Sequence, residues 1–303
     1  MSISKPRAQA LLAAGLVIFV IAVLPAAATD PSSLPFRPGE RLTYNVTWSV
    51  FQAGQIAALL EQTGSASGDY QIVTTAQSHG IVSKLYTLND EYRSLLDPQT
   101  MCSGGISKHV VEGRRRKQTE IVFNSSRGVA ILDERNLAKT SEPPKHDEHP
   151  IPACVQDVVS AFYYLRTQPM HIGDRIDVPV NDGSKTTQVT VEVQAREQIE
   201  TPIGTRYAFR VEPAVFGPGS VYKRKGRMLI WFSDDKQRLP LRIKAMLSVG
   251  TLTGTLASVA GNTSIGPAPD EVPSTAAGAA AGPAPSPPVN SADPPLPKSP
   301  NLN

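Results

Sequence analysis

Four short runs in this chain carry side chains whose types could do chemistry. Lys145-His146-Asp147-Glu148-His149 sets two imidazoles and two carboxylates side by side, the donors that Zn²⁺ or Cu²⁺ take, with His109 or His171 as further donors. Its H-x-x-H spacing is not the i, i+4 pairing of a helical metal site. Pro143, Pro144 and Pro150 also keep the run out of a helix, so a solvated charged loop holding no metal is the expectation. Ser220-Val221-Tyr222-Lys223 has the S-x-x-K spacing, but it follows Gly217-Pro218-Gly219. A Ser/Lys nucleophile pair needs a rigid helical turn, not a flexible one. Asp234-Asp235 could be half of a carboxylate pair for glycoside hydrolysis. It reads more simply as a hairpin turn whose polar tip, Lys236-Gln237-Arg238, precedes Leu239. With no G-x-S-x-G, G-x-x-x-x-G-K-[ST] or H-E-x-x-H run in the chain, no catalytic residue and no cofactor is expected.

The fourth feature is basic. Arg114, Arg115, Arg116 and Lys117 form one cluster, and Lys223, Arg224, Lys225 and Arg227 another, each beside a glycine at the mouth of an expected strand. Gathered on one rim of a barrel, they would suit a phosphate-bearing lipid or an acidic glycan. As charges that guard sheet edges they would need no ligand. Trp48 and Trp231 could each stack on a sugar or lipid, or fill the core. These ten residues are the candidate ligand-binding set.

The elements that position them are strands. Leu42, Tyr44, Val46, Trp48 and Val50 alternate with Arg41, Thr43, Asn45, Thr47 and Ser49, the period of two that puts apolar side chains on one face. Phe51-Gln52-Ala53-Gly54 then reads as a turn, with Gln55 to Gln62 and Tyr70 to Gln77 as the next strands. Further short runs follow: Asp90 to Asp97, Met101 to Val111, Lys117 to Phe123, Gly128 to Asp133, Arg175 to Val180 and Thr186 to Gln194. Tyr207 to Pro213, Gly226 to Phe232, Leu239 to Leu247 and Thr251 to Val259 complete the series. About a dozen strands at such spacing imply a mainly β fold, an antiparallel open barrel or sandwich. One α-helix packs on it. Val155, Val158, Val159, Phe162 and Tyr163 make one apolar stripe over about Cys154 to Arg166, with Asp157 in the first turn and Arg166 in the last to suit the helix dipole. Lys139 to Pro152, with four prolines and many charges, reads as a loop leading into it.

At the N terminus, Lys5 and Arg7 precede the uncharged run Leu11 to Leu24, and Pro25 leads into Ala26, Ala27 and Ala28. This pattern predicts an export signal over residues 1–28 with an A-x-A cleavage site. An uncleaved anchor is the competing reading, since Ala8 to Ala28 nearly matches the roughly 20 apolar residues a membrane crossing takes. Cleavage would remove Lys5 and Arg7 and take the formal charge from +3 to +1. That balance argues against nucleic acid as a partner. Residues 29–261 read as a single β-rich domain. Residues 262–303 hold eleven of the 27 prolines and no aromatic ring, and are expected to be a disordered Pro/Ala-rich tail. In an oxidising compartment the two cysteines, Cys102 and Cys154, are expected to close a disulfide.

Several runs together carry a resemblance. Gly39-Glu40-Arg41-Leu42-Thr43-Tyr44, Asp157 to Arg166 in the helix, Thr201-Pro202-Ile203-Gly204, and Ile230-Trp231-Phe232-Ser233-Asp234-Asp235 with Leu239-Pro240 form the set. In this order, over about Leu34 to Val259, the chain resembles the domain-of-unknown-function 3108 family. The resemblance implies an exported, mostly β bacterial envelope protein, periplasmic or in the outer envelope. The family's sheet resembles the open, half-wrapped barrels of envelope lipoprotein carriers, and it supplies no catalytic residues. Fold analogy does not establish function. The expectation is a non-catalytic module, soluble after signal cleavage, that binds an amphipathic lipid or glycan on the concave face of its sheet. A hydrolase of envelope polymer and a structural or assembly partner are the alternatives, and the oligomeric state is not fixed by these residues.

Overall fold

The computed structural model describes residues 31–65, 68–223 and 225–261. The expected signal (1–28), the expected tail (262–303) and the candidate Arg224 lie outside the described residues. The chain first runs through β1 (Arg41–Trp48), β2 (Phe51–Gln62), β3 (Tyr70–Ser78), α1 (Gly80–Leu85), β4 (Asn89–Leu96) and β5 (Ser103–Glu112). Next come β6 (Arg115–Asn124), β7 (Val129–Asn136), β8 (Lys145–Pro150), α2 (Ser160–Arg166) and β9 (Arg175–Asn181). It ends with β10 (Thr186–Thr201), β11 (Gly204–Pro213), β12 (Gly226–Ser233), β13 (Pro240–Leu247) and β14 (Gly250–Ala260).

All 14 strands join one antiparallel sheet in the order β8-β7-β6-β5-β4-β3-β2-β1-β14-β13-β12-β11-β10-β9. The mainly β, open antiparallel architecture expected from the alternation is therefore present. Two meanders, β1 to β8 and β9 to β14, meet where β1 pairs with β14, from Arg41 opposite Ala260 to Trp48 opposite Leu252. The outermost strands, β8 and β9, share no ladder among the described residues. They approach through an Asn181 Nδ2 donation to His149 Nε2 at 2.9 Å, and through Gln156, which bridges to Val180.

The sheet curls around α2 and the segment before it. Leu165 packs with Val178, Val191, Val211 and Phe232 on one side. Tyr163 packs with Leu60, Ile72 and Leu96 on another. Val155 closes a third cluster with Ile106, Ile121 and Leu132. Every residue of the expected apolar stripe is thus used, although the helix begins at Ser160 and not near Cys154. Gln156 holds its own stretch extended, since its N–H donates to Pro179 O and its carbonyl accepts from Asn181 N, both at 2.8 Å. Asp157 then starts the helix as a cap. Its Oδ1 accepts from Val159 N (2.7 Å) and Ser160 N (3.1 Å), and its Oδ2 accepts from Ser94 Oγ (2.6 Å) and Ser103 Oγ (2.7 Å). A fully buried carboxylate with four donors is satisfied.

Three further boundaries differ from the sequence reading. The first hairpin turns at Ser49 (φ 54°) and Val50, and Phe51 to Gly54 lies inside β2. Gly54 is needed there because a Cβ would collide with the Gln77 carbonyl of β3. The charged Lys139 to Pro152 loop contains β8, whose exposed Lys145, His146 and Pro150 suit a sheet edge. A second helix, α1, follows β3.

Cys102 and Cys154 form the expected disulfide, with Cα atoms 5.2 Å apart, tying the start of β5 to the segment leading into α2. At the same end of the sheet a buried ion pair joins the first strand to α2. Arg166 donates from Nη1 to Glu40 Oε1 (2.6 Å) and from Nη2 to Glu40 Oε2 (2.8 Å), with neither side chain exposed. The guanidinium also donates to Gln237 O (3.2 Å) and Pro35 O (3.3 Å) and lies against the rings of Phe36 and Tyr163.

Glu40→Gln leaves the Arg166 charge buried without its counter-charge and is expected to cost about 3–5 kcal/mol in urea unfolding, with Glu40→Leu/Arg166→Met recovering much of the loss. An unchanged midpoint for Glu40→Gln would refute the pair's importance. Replacing both cysteines by serine should lower stability by about 4 kcal/mol on loop-closure entropy. Identical unfolding curves with and without dithiothreitol would contradict this.

Candidate functional site: an apolar cavity at the open end of the sheet

α2 fills the interior toward one end only. Along β1, Leu42 and Tyr44 are buried in the core, whereas Val46 and Trp48, on the same face, reach beyond it. The neighbouring strands carry Leu60 and Ile72 where the core is packed, then Ala53, Gly54 and Ala76 toward this end. Small residues on the floor leave space. The result is a cavity of about 630 Å³, walled by Val46, Trp48, Ile56, Leu247, Val249 and Leu252, and covered by Val82, Leu85 and Tyr86 of the α1 connection. No charged side chain among the described residues lines it.

Trp48 lies across one wall because Gly250 permits it. Gly250 has φ +128°, a Cβ there would strike the Trp48 indole, and Trp48 Nε1 donates to Val249 O at 3.2 Å. The α1 connection is tied down at its ends: His79 N donates to Ala53 O (2.9 Å), Leu88 N to Ser78 Oγ (2.9 Å) and Gly113 N to Thr87 O (2.7 Å). Its own helix is six residues long and has no side-chain cap at its N terminus.

Antiparallel pairing brings both basic clusters to this end. The β5–β6 hairpin holds Arg114, Arg115 and Arg116, and a Cβ on its Gly113 would sit 3.5 Å from the Tyr86 ring. Burial raises the Tyr86 hydroxyl above its ordinary pKa, with Glu112 and Asp90 adding to the effect. Gly226 pairs with Leu247 beside the cavity wall, so Lys225 and Arg227 flank that pair and Lys223 lies just before them in the chain. Arg115 pairs with Glu112 (2.9 Å), Lys117 with Glu134 (2.5 Å) and Arg227 with Glu212 (2.6 Å). Trp231 is elsewhere. It is buried on the face of β12 opposite Ile230 and Phe232, and its Nε1 donates to Glu197 Oε1 at 2.5 Å.

A second, polar cavity of about 500 Å³ opens under β4 to β8, lined by Tyr92, Lys108, Arg115, Lys117, Glu134, Lys145 and Asp182 among others. Burial lowers the Lys108 amine below its ordinary value, partly offset by Asp157, Asp182 and Glu134. The other chemical runs take local partners. Asp235 Oδ1 accepts from Ser233 Oγ, Gln237 N and Arg238 N, a hairpin turn, and Asp234 pairs with Arg196 at 2.6 Å. On β8, His146 bonds Asp133 and His149 bonds Asn181, and the odd spacing of the two histidines along the strand sends them to opposite faces. No group of three metal donors occurs among the described residues. Ser220 and Lys223 lie in the irregular β11–β12 connection.

Sequence reasoning singled out Trp48 and the basic clusters but not the cavity. Its floor and cover come from β2, β3, α1 and the β13–β14 hairpin, which only the sheet order brings together. The run of small residues Ala53-Gly54 opposite Ala76-to-Ser78 was the available signal, and it read as a turn.

The family described as "Protein of unknown function (DUF3108)" matches residues 43–257. No curated protein matches the chain. Among solved structures, a beta-barrel-like protein of domain of unknown function DUF1849 from Brucella abortus is similar at 10% identity, covering 73% of this chain and 97% of its own, with a TM-score of 0.50. That likeness concerns the fold. A protein with a YMCC-like fold from Bacteroides fragilis has 11% identity, coverage of 75% and 98%, and a TM-score of 0.32. A hypothetical protein from Chlamydia trachomatis has 10% identity, coverage of 78% and 92%, and a TM-score of 0.33.

The α1 cover has few bonds of its own, so its amides are expected to exchange roughly 100-fold faster than those of Ile56 to Leu60 or Ile72 to Ala76. Equal protection in hydrogen–deuterium exchange would show the cover to be as rigid as the sheet.

Proposed function

We propose that this chain, which belongs to the DUF3108 family of proteins of unknown function, holds the acyl part of an amphipathic envelope lipid in the cavity beneath α1. The observation that carries the reading is the cavity itself. Its volume, about 630 Å³, falls within the range of small-molecule sites, and its uncharged lining suits a hydrocarbon chain better than a sugar. An anionic headgroup emerging at the mouth would meet the basic side chains of the β5–β6 hairpin and of the segment before β12. The role is carriage or sensing and not catalysis. The carboxylates and the Ser/Lys pair considered for hydrolysis are engaged in turns and irregular loops.

Export to an oxidising envelope compartment belongs to the same proposal. It is supported by the Cys102–Cys154 disulfide and by the charged start, apolar run and Ala26-Ala27-Ala28 of the sequence. No helix among the described residues is long and apolar enough to cross a membrane. A glycan is the second reading, favoured by the charged walls of the polar cavity around Lys108.

Ala76→Phe adds a ring to the cavity floor and should lower the affinity for a fluorescent long-chain fatty acid at least about tenfold while leaving the fold intact. Native mass spectrometry of the exported protein should show a bound lipid. Absence of both the probe signal and any co-purifying lipid would sink the proposal, and an oligosaccharide in its place would favour the glycan reading.

A further inference from the structure

The apolar surface does not stop at the cavity. Three connections far apart in sequence place large apolar side chains in the open at the same end of the sheet. Val50 (85% exposed) and Phe51 (64%) lie at the β1–β2 tip, Leu85 (77%) lies on α1, and Val249 (69%) lies at the β13–β14 tip. Strands β2, β1 and β14 are neighbours, so these tips form one cluster around the mouth. Single exposed apolar residues need no explanation, but a contiguous apolar rim marks a docking surface.

The charges around that rim say what it docks on. Lys84 sits within it, Arg114 and Arg116 lie on the β5–β6 hairpin, and Lys223 and Lys225 on the connection before β12; none of the five forms an ion pair among the described residues. The cations that are neutralised, Arg115, Lys117 and Arg227, have their partners in Glu112, Glu134 and Glu212. The mouth is thus an apolar crown with unpaired positive charge beside it. The described chain enters and leaves at the other end, where Gly261 lies against Gly39, so neither end of it crosses the mouth.

We infer that this rim is a membrane-docking surface: the tips of Val50, Phe51, Leu85 and Val249 enter the interfacial layer of an anionic bilayer while the flanking Lys and Arg side chains meet its headgroups. Each basic side chain near such a surface is worth roughly fivefold in partitioning, so five unpaired cations favour an anionic leaflet strongly over a zwitterionic one. The inference rests on the lipid-holding proposal for its purpose, since it puts the cavity mouth against the source of its ligand.

The test is co-sedimentation of the exported protein, its N terminus defined by mass, with vesicles. Vesicles containing phosphatidylglycerol should bind it at least about tenfold better than phosphatidylcholine vesicles, and roughly 0.5 M salt should abolish the difference. Val50→Ser/Phe51→Ser and Lys223→Glu/Lys225→Glu should each weaken binding by about tenfold or more without altering the melting temperature. Val50 and Phe51 do not line the cavity, so the Val50→Ser/Phe51→Ser variant should still bind the fluorescent fatty acid, which separates failure of docking from failure of lipid holding. Wild type that ignores anionic vesicles, or variants that bind them as well as wild type, would overturn the inference. So would a dimer in sedimentation equilibrium that Val50→Ser/Phe51→Ser dissociates, because the crown would then be covered by a second copy.

Discussion

A buried ion pair holds the closed end of this protein together. Removing a guanidinium and a carboxylate from water is costly, and the cost is met only when every donor and acceptor is used. Arg166 and Glu40 bond at 2.6 and 2.8 Å, and the remaining guanidinium donors reach the carbonyls of Pro35 and Gln237. The Phe36 and Tyr163 rings, edge to face at 4.9 Å, exclude water from the pair. Because Glu40 immediately precedes β1 and Arg166 ends α2, this one contact sets where the first strand stands relative to the helix the sheet wraps. The turn before β13 is held by the same guanidinium. Asp157 performs the equivalent task at the other end of α2, where four donors tie it to β4, β5 and the first turn of the helix. With the disulfide beside it, α2 is locked at both ends.

The opposite end is built on different terms. Its connections are short hairpins and a six-residue helix, its interior side chains are small, and its charges are mostly exposed. A protein with a polar-locked base and an apolar, lightly covered mouth can open at the mouth without loosening the sheet. The lipid-holding reading uses this asymmetry: the cavity exists because α2 stops short of filling the interior.

Much of the fold was legible because period-two alternation survives in strands with one face buried. Leu42, Tyr44, Val46 and Trp48 share the face the spacing assigned, and Cys102 and Cys154 pair as expected. The departures have local causes. Gly54 resembled a turn glycine, but it is required by close approach to Gln77, while the turn is made by Ser49 in a left-handed conformation. The valines at 155, 158 and 159 do pack as a stripe, yet Gln156 pairs with β9 in an extended conformation and Asp157 postpones the helix. Lys145 to Pro150 looked like a loop because an edge strand needs charge and proline where an inner strand would need apolar residues. α1 was invisible because six residues are too few to show a period. At the candidate site, Trp48 and the basic clusters could be named from their types. The cavity could not, because its floor and walls belong to segments some 200 residues apart that only the β1–β14 pairing makes neighbours.

That pairing also bears on how the chain reaches its structure. Every other ladder joins strands adjacent in sequence, so each meander can form from local hairpins as soon as its own residues are available. The β1–β14 seam is different: it closes a loop of nearly the whole sheet, and loop closure of that length is the slow kind of contact. Until Gly250 to Ala260 has been synthesised, β1 stands as a bare edge. The kinetic hazard of this protein is therefore concentrated at one seam late in synthesis, and a chain interrupted before that point would be an aggregation-prone half-sheet.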